Sequence, residues 1–582
     1  MVQDTRAHVT NVLVIGSGGA GLRAAIAAWE VGREVVVLGK RQRTDAHTVL
    51  ASGGINAALG TVDPDDSWQQ HFADTYREGY HLGHPRAVEL LAREAPDAIA
   101  ELEAWGCELA RTPDGALDQR YFGAHTYRRT CYAGDYTGRA LLGTLDDRVA
   151  ELGIPVRAEE YVSQLLVHDG RCFGALAFHL GSGERTVFYA DAVVLAAGGH
   201  TRLWRRSTSR RDENTGDGMA LALQAGCRVG DPELVQFHPT GMVTPPDMEG
   251  VLVTEAMRGE GARLYNAEGE RYMQRYDPER AELSTRDRVA LANYLEIAEG
   301  RGTPNGGVYL DLTHRDRDDI ITQLPRMYRQ FMESAMLDLS TDPVEVAPTA
   351  HYSMGGVVVE PDSHATDVEG LYAAGEVTAG VHGANRLGGN SLVETVVFGR
   401  RAGAAAAAFS ASCDVQLRQR ATVAAAEDEL LSLVTTGDEF ARPLQRRLRE
   451  AMTDHCGVVR DDAGLAAGLE VVADLRAHLD DVDVRPSAEG YGDLAHLLDL
   501  RASLLAAEAT LRCAQQRRES RGAHNRADHP DVDPELRLTL TLRLADDGGL
   551  VLDRQPLPDV PAELQAWLDE AGDLDVAGRL LE

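Results

Sequence analysis

Five polar side chains in the middle of the chain stand in glycine-rich or apolar surroundings. They are His238 in Gln-Phe-His-Pro-Thr-Gly, Thr254 in Leu-Val-Thr-Glu-Ala-Met-Arg-Gly-Glu-Gly, Arg286 in Ser-Thr-Arg-Asp, His351 in Pro-Thr-Ala-His-Tyr-Ser-Met-Gly-Gly, and Arg386 in His-Gly-Ala-Asn-Arg-Leu-Gly-Gly-Asn-Ser-Leu. Polar groups in such settings must be paired within the protein or must bind something. Taken singly, each reads as an internally satisfied side chain. Together, two arginines and two histidines make a clamp for a small dianion, because a guanidinium offers a carboxylate a bidentate fork.

A second concentration of unusual residues opens the chain. From Asn11 to Lys40 an apolar run (Val12–Ile15) meets Gly16, Gly18 and Gly21 in G-x-G-x-x-G spacing, a small-residue helix follows, and Val35–Leu38 reads as a second buried strand. This is a βαβ unit whose glycines bring the backbone against a pyrophosphate at a helix N-terminus. The acid expected about 20 residues further on to hold an adenosine ribose is missing, since the strand ends Leu38-Gly39-Lys40, and this disfavours NAD. From that strand end an extended chain to His47 would span ~26–29 Å, enough to reach the far end of a dinucleotide.

The remaining elements must position these two groups. Ala192–Gly199 and Gly370–Glu376 repeat the pattern of a buried strand running into glycines, and Thr215-Gly-Asp-Gly218 opens a helix. Three such segments separated by long insertions predict one nucleotide-binding sheet interrupted by a second domain. Residues 154–190 alternate apolar and polar as a small antiparallel sheet, with strands at Val162–Val167 and Cys172–His179. Residues 61–119 read as amphipathic helices without obvious chemistry. Tyr121 to Thr130 reads as an aromatic and basic loop, and Leu536–Leu544 with Leu550–Leu552 as a strand pair. The expected fold class is therefore α/β. A Rossmann-like dinucleotide-binding domain (1–234 and 351–402) is interrupted by a second α+β domain (235–350), then followed by a helical domain (403–530) and a C-terminal tail (531–582).

Bulk properties narrow the partners. The 582 residues are 44% hydrophobic, with a net charge of −33, and Lys40 is the only lysine. Nucleic acid is disfavoured electrostatically. The seven cysteines include no C-x-x-C, so neither a disulfide framework nor an iron–sulfur or zinc site is expected, which suits a reducing compartment. No N-terminal signal pattern is apparent, and no apolar run approaches the ~20 residues of a membrane span. Contact with a membrane is expected only through a partner.

In this order, GSGGAG, AHTVLASGG, TGDG, QFHPTG, TEAMRGEG, TRD, AHYSMGG, AAGE, HGANRLGGNSL and ESRGAH occur between about residues 10 and 530. The chain thereby resembles the flavoprotein subunit of succinate dehydrogenase and fumarate reductase. The resemblance implies that the first domain is a Rossmann-like FAD-binding domain and the second a capping α+β domain, with the FAD joined covalently through His47. It also implies cofactor contacts from Gly16, Ser17, Gly18, Gly19, Ala20, Gly21, Lys40, Thr48, Gly53, Gly54, Asp217, Glu376, Ser391 and Leu392. His238, Thr254, His351 and Arg386 would hold the substrate carboxylates beside Phe122, and Arg286 would transfer a proton supplied through Glu255 and Arg258. No metal site is implied in this chain.

The implied reaction interconverts succinate and fumarate by hydride exchange with the flavin. The electrons would pass through an iron–sulfur subunit to or from a quinone-reactive membrane anchor. These partners would hold the chain at the inner, cytoplasmic face of the cell membrane. Where the family often carries Arg-Ser-His-Thr at the linking histidine, this chain has Asp45-Ala46-His47-Thr48. The related L-aspartate oxidases usually lack that histidine, and they carry a glutamate where Phe122 stands here. A neutral ring suits a dicarboxylate with no amino group. L-Aspartate oxidation, soluble one-chain fumarate reduction and a redox-silent FAD scaffold are the alternatives.

Overall fold

The computed structural model describes residues 5–487 and 490–569. The first four residues, residues 488–489 of the expected helical domain and residues 570–582 of the expected tail lie outside the described part.

The three strand-then-glycine segments join in one parallel sheet, in the order Leu371–Ala373, Ala192–Leu195, Val12–Ile15, Val35–Leu38 and Val156–Arg157. Val12 lies between Val35 and Ala192, and Val193 pairs with Leu371 across the whole insertion. The runs VLVI, VVVL and AVVL are buried at every residue. Both faces of the sheet are covered, so a parallel strand here has no solvent side to be polar.

Alternate side chains face opposite ways. Val12, Val14, Val35 and Val37 pack under the helices Gly19–Glu30 and Asn390–Ser412, whereas Leu13, Ile15, Val36 and Leu38 pack on Leu165, Ala175 and Phe188. The latter belong to the antiparallel strands Glu160–His168, Arg171–His179 and Arg185–Tyr189, to which Arg6–Val9 adds in parallel. The two helices approach backbone to backbone. A Cβ on Gly403 would lie 2.1 Å from the Ala24 carbonyl oxygen, and one on Gly399 would lie 2.6 Å from that of Ala20. Larger residues at those positions would push the helices apart.

The insertion builds a second sheet in the order Val235–Met242, Val344–Ser353, Val308–Asp311 and Arg263–Tyr265. The helix Arg286–Glu296 packs against it, and Met242, Val253, Leu264, Val289 and Phe331 share its core. Asp287 in the first turn of that helix complements the dipole. The long helices Ala441–His455, Asp462–Ala477 and Gly492–Gln516 form the next layer. The strand pair anticipated after Pro530 is a hairpin, Leu538–Leu544 with Leu550–Pro556, and its first strand pairs with Val229–Gly230. A last helix, Ala562–Asp569, buries Leu564 and Leu568 against Phe72, Tyr76 and Val88.

Candidate active site

An elongated cavity runs from the first glycine turn to the inserted sheet. Of the residues that the sequence singles out, all line it except Gly21 and Arg258. Gly21 faces its own strand, where a Cβ would lie 1.8 Å from the Gly16 carbonyl oxygen. It serves close helix–strand packing instead of touching the cavity. Arg258 is 2% exposed and lies behind Glu255.

At the glycine end, the helix Gly19–Glu30 has no side-chain cap and no acid in its first turn. The hydroxyl of Thr48 accepts the Gly19 N–H at 3.1 Å. N–H groups and the positive dipole end thus point at the cavity. Lys40 Nζ lies 2.7 Å from Asp499 Oδ1 and 3.4 Å from Asp217 Oδ2, and its charge sits 4.9 Å from the Tyr161 ring. Burial opposes the ammonium, but the two carboxylates outweigh it and raise the Lys40 pKa. Burial beside Asp217 pushes Asp499 up, against the pull of Lys40.

His47 opens a short 3₁₀ turn, His47–Leu50. Its Nδ1 lies 3.5 Å from Oε2 of Glu213, a side chain 8% exposed. Burial lowers the imidazole pKa, yet Glu213 and then Glu376 outweigh it, and the net shift is upward.

The far end is built around Gln236. Its Oε1 accepts from Arg386 Nη2 at 2.9 Å and from Arg286 Nη1 at 3.3 Å. Its amide donates to Asn385 Oδ1 at 2.7 Å and to the Arg386 carbonyl at 2.9 Å, so its orientation is fixed. Arg286 Nε donates to Glu255 Oε2 at 2.7 Å, and the same oxygen lies 3.7 Å from Arg258 Nη2. Burial would raise the Glu255 pKa, but Arg286 and Arg258 hold it at about 2. Burial, then the neighbouring Arg286, brings Arg386 down to about 10. The rings of His238 and His351 meet edge to face at 5.1 Å, and His351 Nδ1 is 3.0 Å from Thr208 Oγ1. Burial first, and then adjacent positive charge, holds both imidazoles well below their ordinary pKa. Both are therefore neutral hydrogen-bonding groups near neutrality. Phe122 is buried between two loops: a Cβ would lie 3.3 Å from its Cζ on Gly53 and 3.4 Å from its Cδ1 on Gly388.

Several supporting residues escaped the sequence reading. Asp287 accepts from Tyr80 Oη at 2.6 Å and from Asn385 Nδ2 at 3.0 Å, which anchors the residue next to Arg286. Asn390 Oδ1 is 2.9 Å from His71 Nε2 and accepts from Asn56 Nδ2 at 2.7 Å, holding the loop that carries Arg386. Both His71 and Asp74, which lies 2.9 Å from Arg129, belong to the helix Trp68–Glu78 that the sequence left without chemistry. Gln236 could have been suspected from its place beside His238. Nothing near Asp499 announces its pairing with Lys40, because the two lie far apart in the chain. The ESRGAH string lies away from the cavity: Glu519 pairs with Arg517 at 3.3 Å and with Arg521 at 2.9 Å, and Arg521 donates to the Tyr80 carbonyl at 3.1 Å.

Residues 11–392 match the family described as FAD binding domain, and residues 445–565 match that described as fumarate reductase flavoprotein C-term. The chain belongs to the succinate dehydrogenase and fumarate reductase flavoprotein family. It is 43% identical over 540 residues to one of the subunits of the fumarate reductase (CoM/CoB) of Methanothermobacter marburgensis, covering 93% of this chain and 98% of that protein. It is 37% identical to the succinate dehydrogenase flavoprotein subunit of Rickettsia bellii, covering 94% and 95%. A solved structure described as Mycobacterium smegmatis Sdh1 in complex with UQ1 superposes with a TM-score of 0.88 at 40% identity, covering 97% of each chain. The segment after Pro530 is thus largely part of the family's C-terminal region.

The cavity of this flavoprotein fits FAD. Buried Asp217 Oδ1 has no hydrogen-bond partner within the protein and is placed to accept from a hydroxyl, while the uncapped glycine turn suits a pyrophosphate. Arg386 Nε is likewise buried without a partner, at the end where the positive charge collects.

Proposed function

We propose that this chain interconverts succinate and fumarate as the flavoprotein subunit of an electron-transfer complex. The observation that carries the reading is the convergence of Arg286 and Arg386 on Gln236, with Glu255 and Arg258 directly behind Arg286. Arg386, His238, His351 and Thr254 hold the two carboxylates: a permanent charge and neutral donors suit a dianion better than a monoanion. The chemistry supplied by bound FAD is hydride exchange with a substrate C–H. Lys40, Asp217, Glu376, Ser391, Leu392, Thr48 and the loop Gly53-Gly54 would hold it, with the glycine turn Gly16–Ala20 against the pyrophosphate and Gly21 keeping that turn close to its strand. His47 joins it covalently.

In the direction of fumarate reduction, Arg286 gives a proton to the carbon next to the one exchanging hydride. Glu255, held ionised between two guanidiniums, reloads Arg286 from Arg258 and the surface beyond. In the opposite direction the same chain carries the proton away. Phe122 closes the space beside Arg286 with an uncharged ring, which offers no acceptor to a substrate ammonium. This favours succinate over L-aspartate.

Electrons leave through an iron–sulfur partner subunit to a quinone-reactive membrane anchor, and these partners hold the chain at the cytoplasmic face of the membrane. No helix among the described residues is long and apolar enough to cross a membrane, which fits attachment through partners. The Methanothermobacter relative is named for CoM/CoB, which makes that pair the second redox partner to try, as electron donor in the direction of fumarate reduction.

Anaerobic stopped-flow bleaching of the flavin absorbance, with succinate and L-aspartate in parallel, tests the reading. Bleaching by succinate alone supports it. Bleaching by L-aspartate replaces it with amino-acid oxidation, and silence with both, despite bound FAD, leaves a scaffold.

A further inference from the structure

Two charged loops meet beside His47: RQRTDAH, residues 41–47, and TSRRDEN, residues 208–214. Arg41 Nη2 lies 2.6 Å from Asp45 Oδ2, and Arg41 Nη1 also binds Asp212 across the gap. Arg210 Nη1 is 2.9 Å from Asp45 Oδ1 and donates to the Asp45 carbonyl at 2.8 Å. The clasp engages one oxygen of Glu213, whose Oε1 lies 3.4 Å from Arg210 Nη1 and 3.5 Å from Arg41 Nε. The other oxygen, Oε2, is turned to Nδ1 of His47. Both of these atoms are buried, and neither has a hydrogen-bond partner elsewhere.

We propose that Glu213 is the carboxylate partner that prepares His47 for covalent attachment to the flavin. The inference rests on the reading above that FAD is joined through this histidine. An imidazole whose Nδ1–H faces a carboxylate keeps its lone pair on Nε2, the nitrogen left to the cavity. Such a carboxylate also stabilises the positive charge that grows on the ring as Nε2 forms a bond. The pair stands at 3.5 Å, a separation that closes to hydrogen-bond length as charge develops.

In the attachment step a C–N bond forms between Nε2 and the methyl carbon at position 8 of the flavin ring, and one C–H bond of that methyl breaks. The methyl gives up one proton, and His47 gives up its Nδ1 proton through Glu213, which passes it on and is left ionised again. The C–H electron pair enters the flavin ring, which takes up both protons and is left reduced by two electrons. Fumarate then reoxidises it and becomes succinate. Asp45 contributes by holding the two loops together through Arg41 and Arg210, which keeps Glu213 facing His47.

The test compares wild type, Glu213→Gln, Glu213→Asp and His47→Ala as full-length chains. Total bound flavin is read from native absorbance. Covalent flavin is read after acid denaturation, from fluorescence in a denaturing gel and from intact mass, during reconstitution of apoprotein with FAD and fumarate. We expect Glu213→Gln to bind FAD as wild type does but to attach it at least tenfold more slowly, with Glu213→Asp recovering most of the rate. Attachment by Glu213→Gln at the wild-type rate overturns the proposal. Loss of total FAD in both Glu213 variants, in step with covalent FAD, also overturns it, since it reveals a purely structural pair. If wild type itself releases all its flavin in acid, as His47→Ala must, the reading of covalent attachment falls first and the proposal falls with it.

Discussion

Arg286 and Arg386 donate to the same oxygen, Gln236 Oε1, at 3.3 and 2.9 Å. Two like charges held on one neutral acceptor are a standing electrostatic cost in a buried site, and an arriving dianion relieves it. Succinate should therefore raise thermal stability more than butyrate, a monoanion of similar shape. Saturation to about 100 times Kd corresponds to about 2.7 kcal/mol. Equal shifts from both ligands in a thermal-melting assay would falsify the dianion clamp.

Arg286→Lys keeps a positive charge but loses the planar fork that joins Gln236 to Glu255. Turnover should fall by about 10²–10⁴, the usual worth of positioned proton transfer. FAD content and KM for the dicarboxylate should change far less. Steady-state kinetics and flavin content of the same preparation decide this; a change confined to KM would assign Arg286 to binding alone.

Gly403 lets the helix Asn390–Ser412 reach the backbone of the first helix, where a Cβ would lie 2.1 Å from the Ala24 oxygen. Gly403→Ala should cost about 1–3 kcal/mol through overpacking, and it should loosen FAD because both helices start at the cavity. Gly143 has open space around its Cβ position and sits within the helix Thr137–Glu151, so Gly143→Ala should be neutral or stabilising. Melting midpoints and flavin retention on gel filtration provide the comparison. Similar behaviour of the two variants would refute the close-approach argument.

Buried histidines set an acid limit to stability. Burial, with Arg129 nearby, lowers His71 to about 3, and the same causes lower His125 to about 3. In the unfolded chain both protonate near 6.5, so below that pH the unfolded state binds more protons and folding weakens as pH falls. The slope approaches about 1.4 kcal/mol per pH unit for each histidine well below pH 6.5, which sums to about 4 kcal/mol for the pair between pH 7 and 5. Urea unfolding at pH 7 and pH 5 should show this loss. The double variant His71→Gln, His125→Gln should flatten it, and an unchanged slope would point to other groups.

How much of this was legible depended on distance along the chain. The βαβ unit was readable because strand, turn and helix lie within Asn11–Lys40, where period and glycine spacing are local signals. Its partner strands at 192–195 and 371–373 were readable because burial on both faces leaves an unmistakably apolar run ending in glycine. The strand Arg6–Val9 was not, since RAHV is largely exposed and joins a sheet edge. Arg286 and Arg386 could be suspected as a clamp, yet the sequence could not show that Gln236 ties them. The reach of an extended chain to His47 gave the right cavity by a different path: the segment folds back into a 3₁₀ turn, and Thr48 Oγ1 takes the Gly19 N–H while leaving the helix without a cap from its own N-cap residue. Asp499, Glu213 and Asp287 act through partners hundreds of residues away or through loop geometry, which no local pattern encodes.

The central sheet also has a consequence for biosynthesis. Val12–Ile15 emerges first from the ribosome, yet the outer strand Leu371–Ala373 and the helix Asn390–Ser412 that cover its unit are made far later. At ~5–20 residues per second the nascent N-terminal strands wait roughly 20–80 s before those elements appear. During that interval the apolar faces of Val12–Ile15 and Val35–Leu38 have only the helix Gly19–Glu30 as helical cover, and the cavity lacks Glu376 and Arg386. Cofactor loading is therefore a late event in the life of the chain, possible only once residue 412 is clear of the exit tunnel.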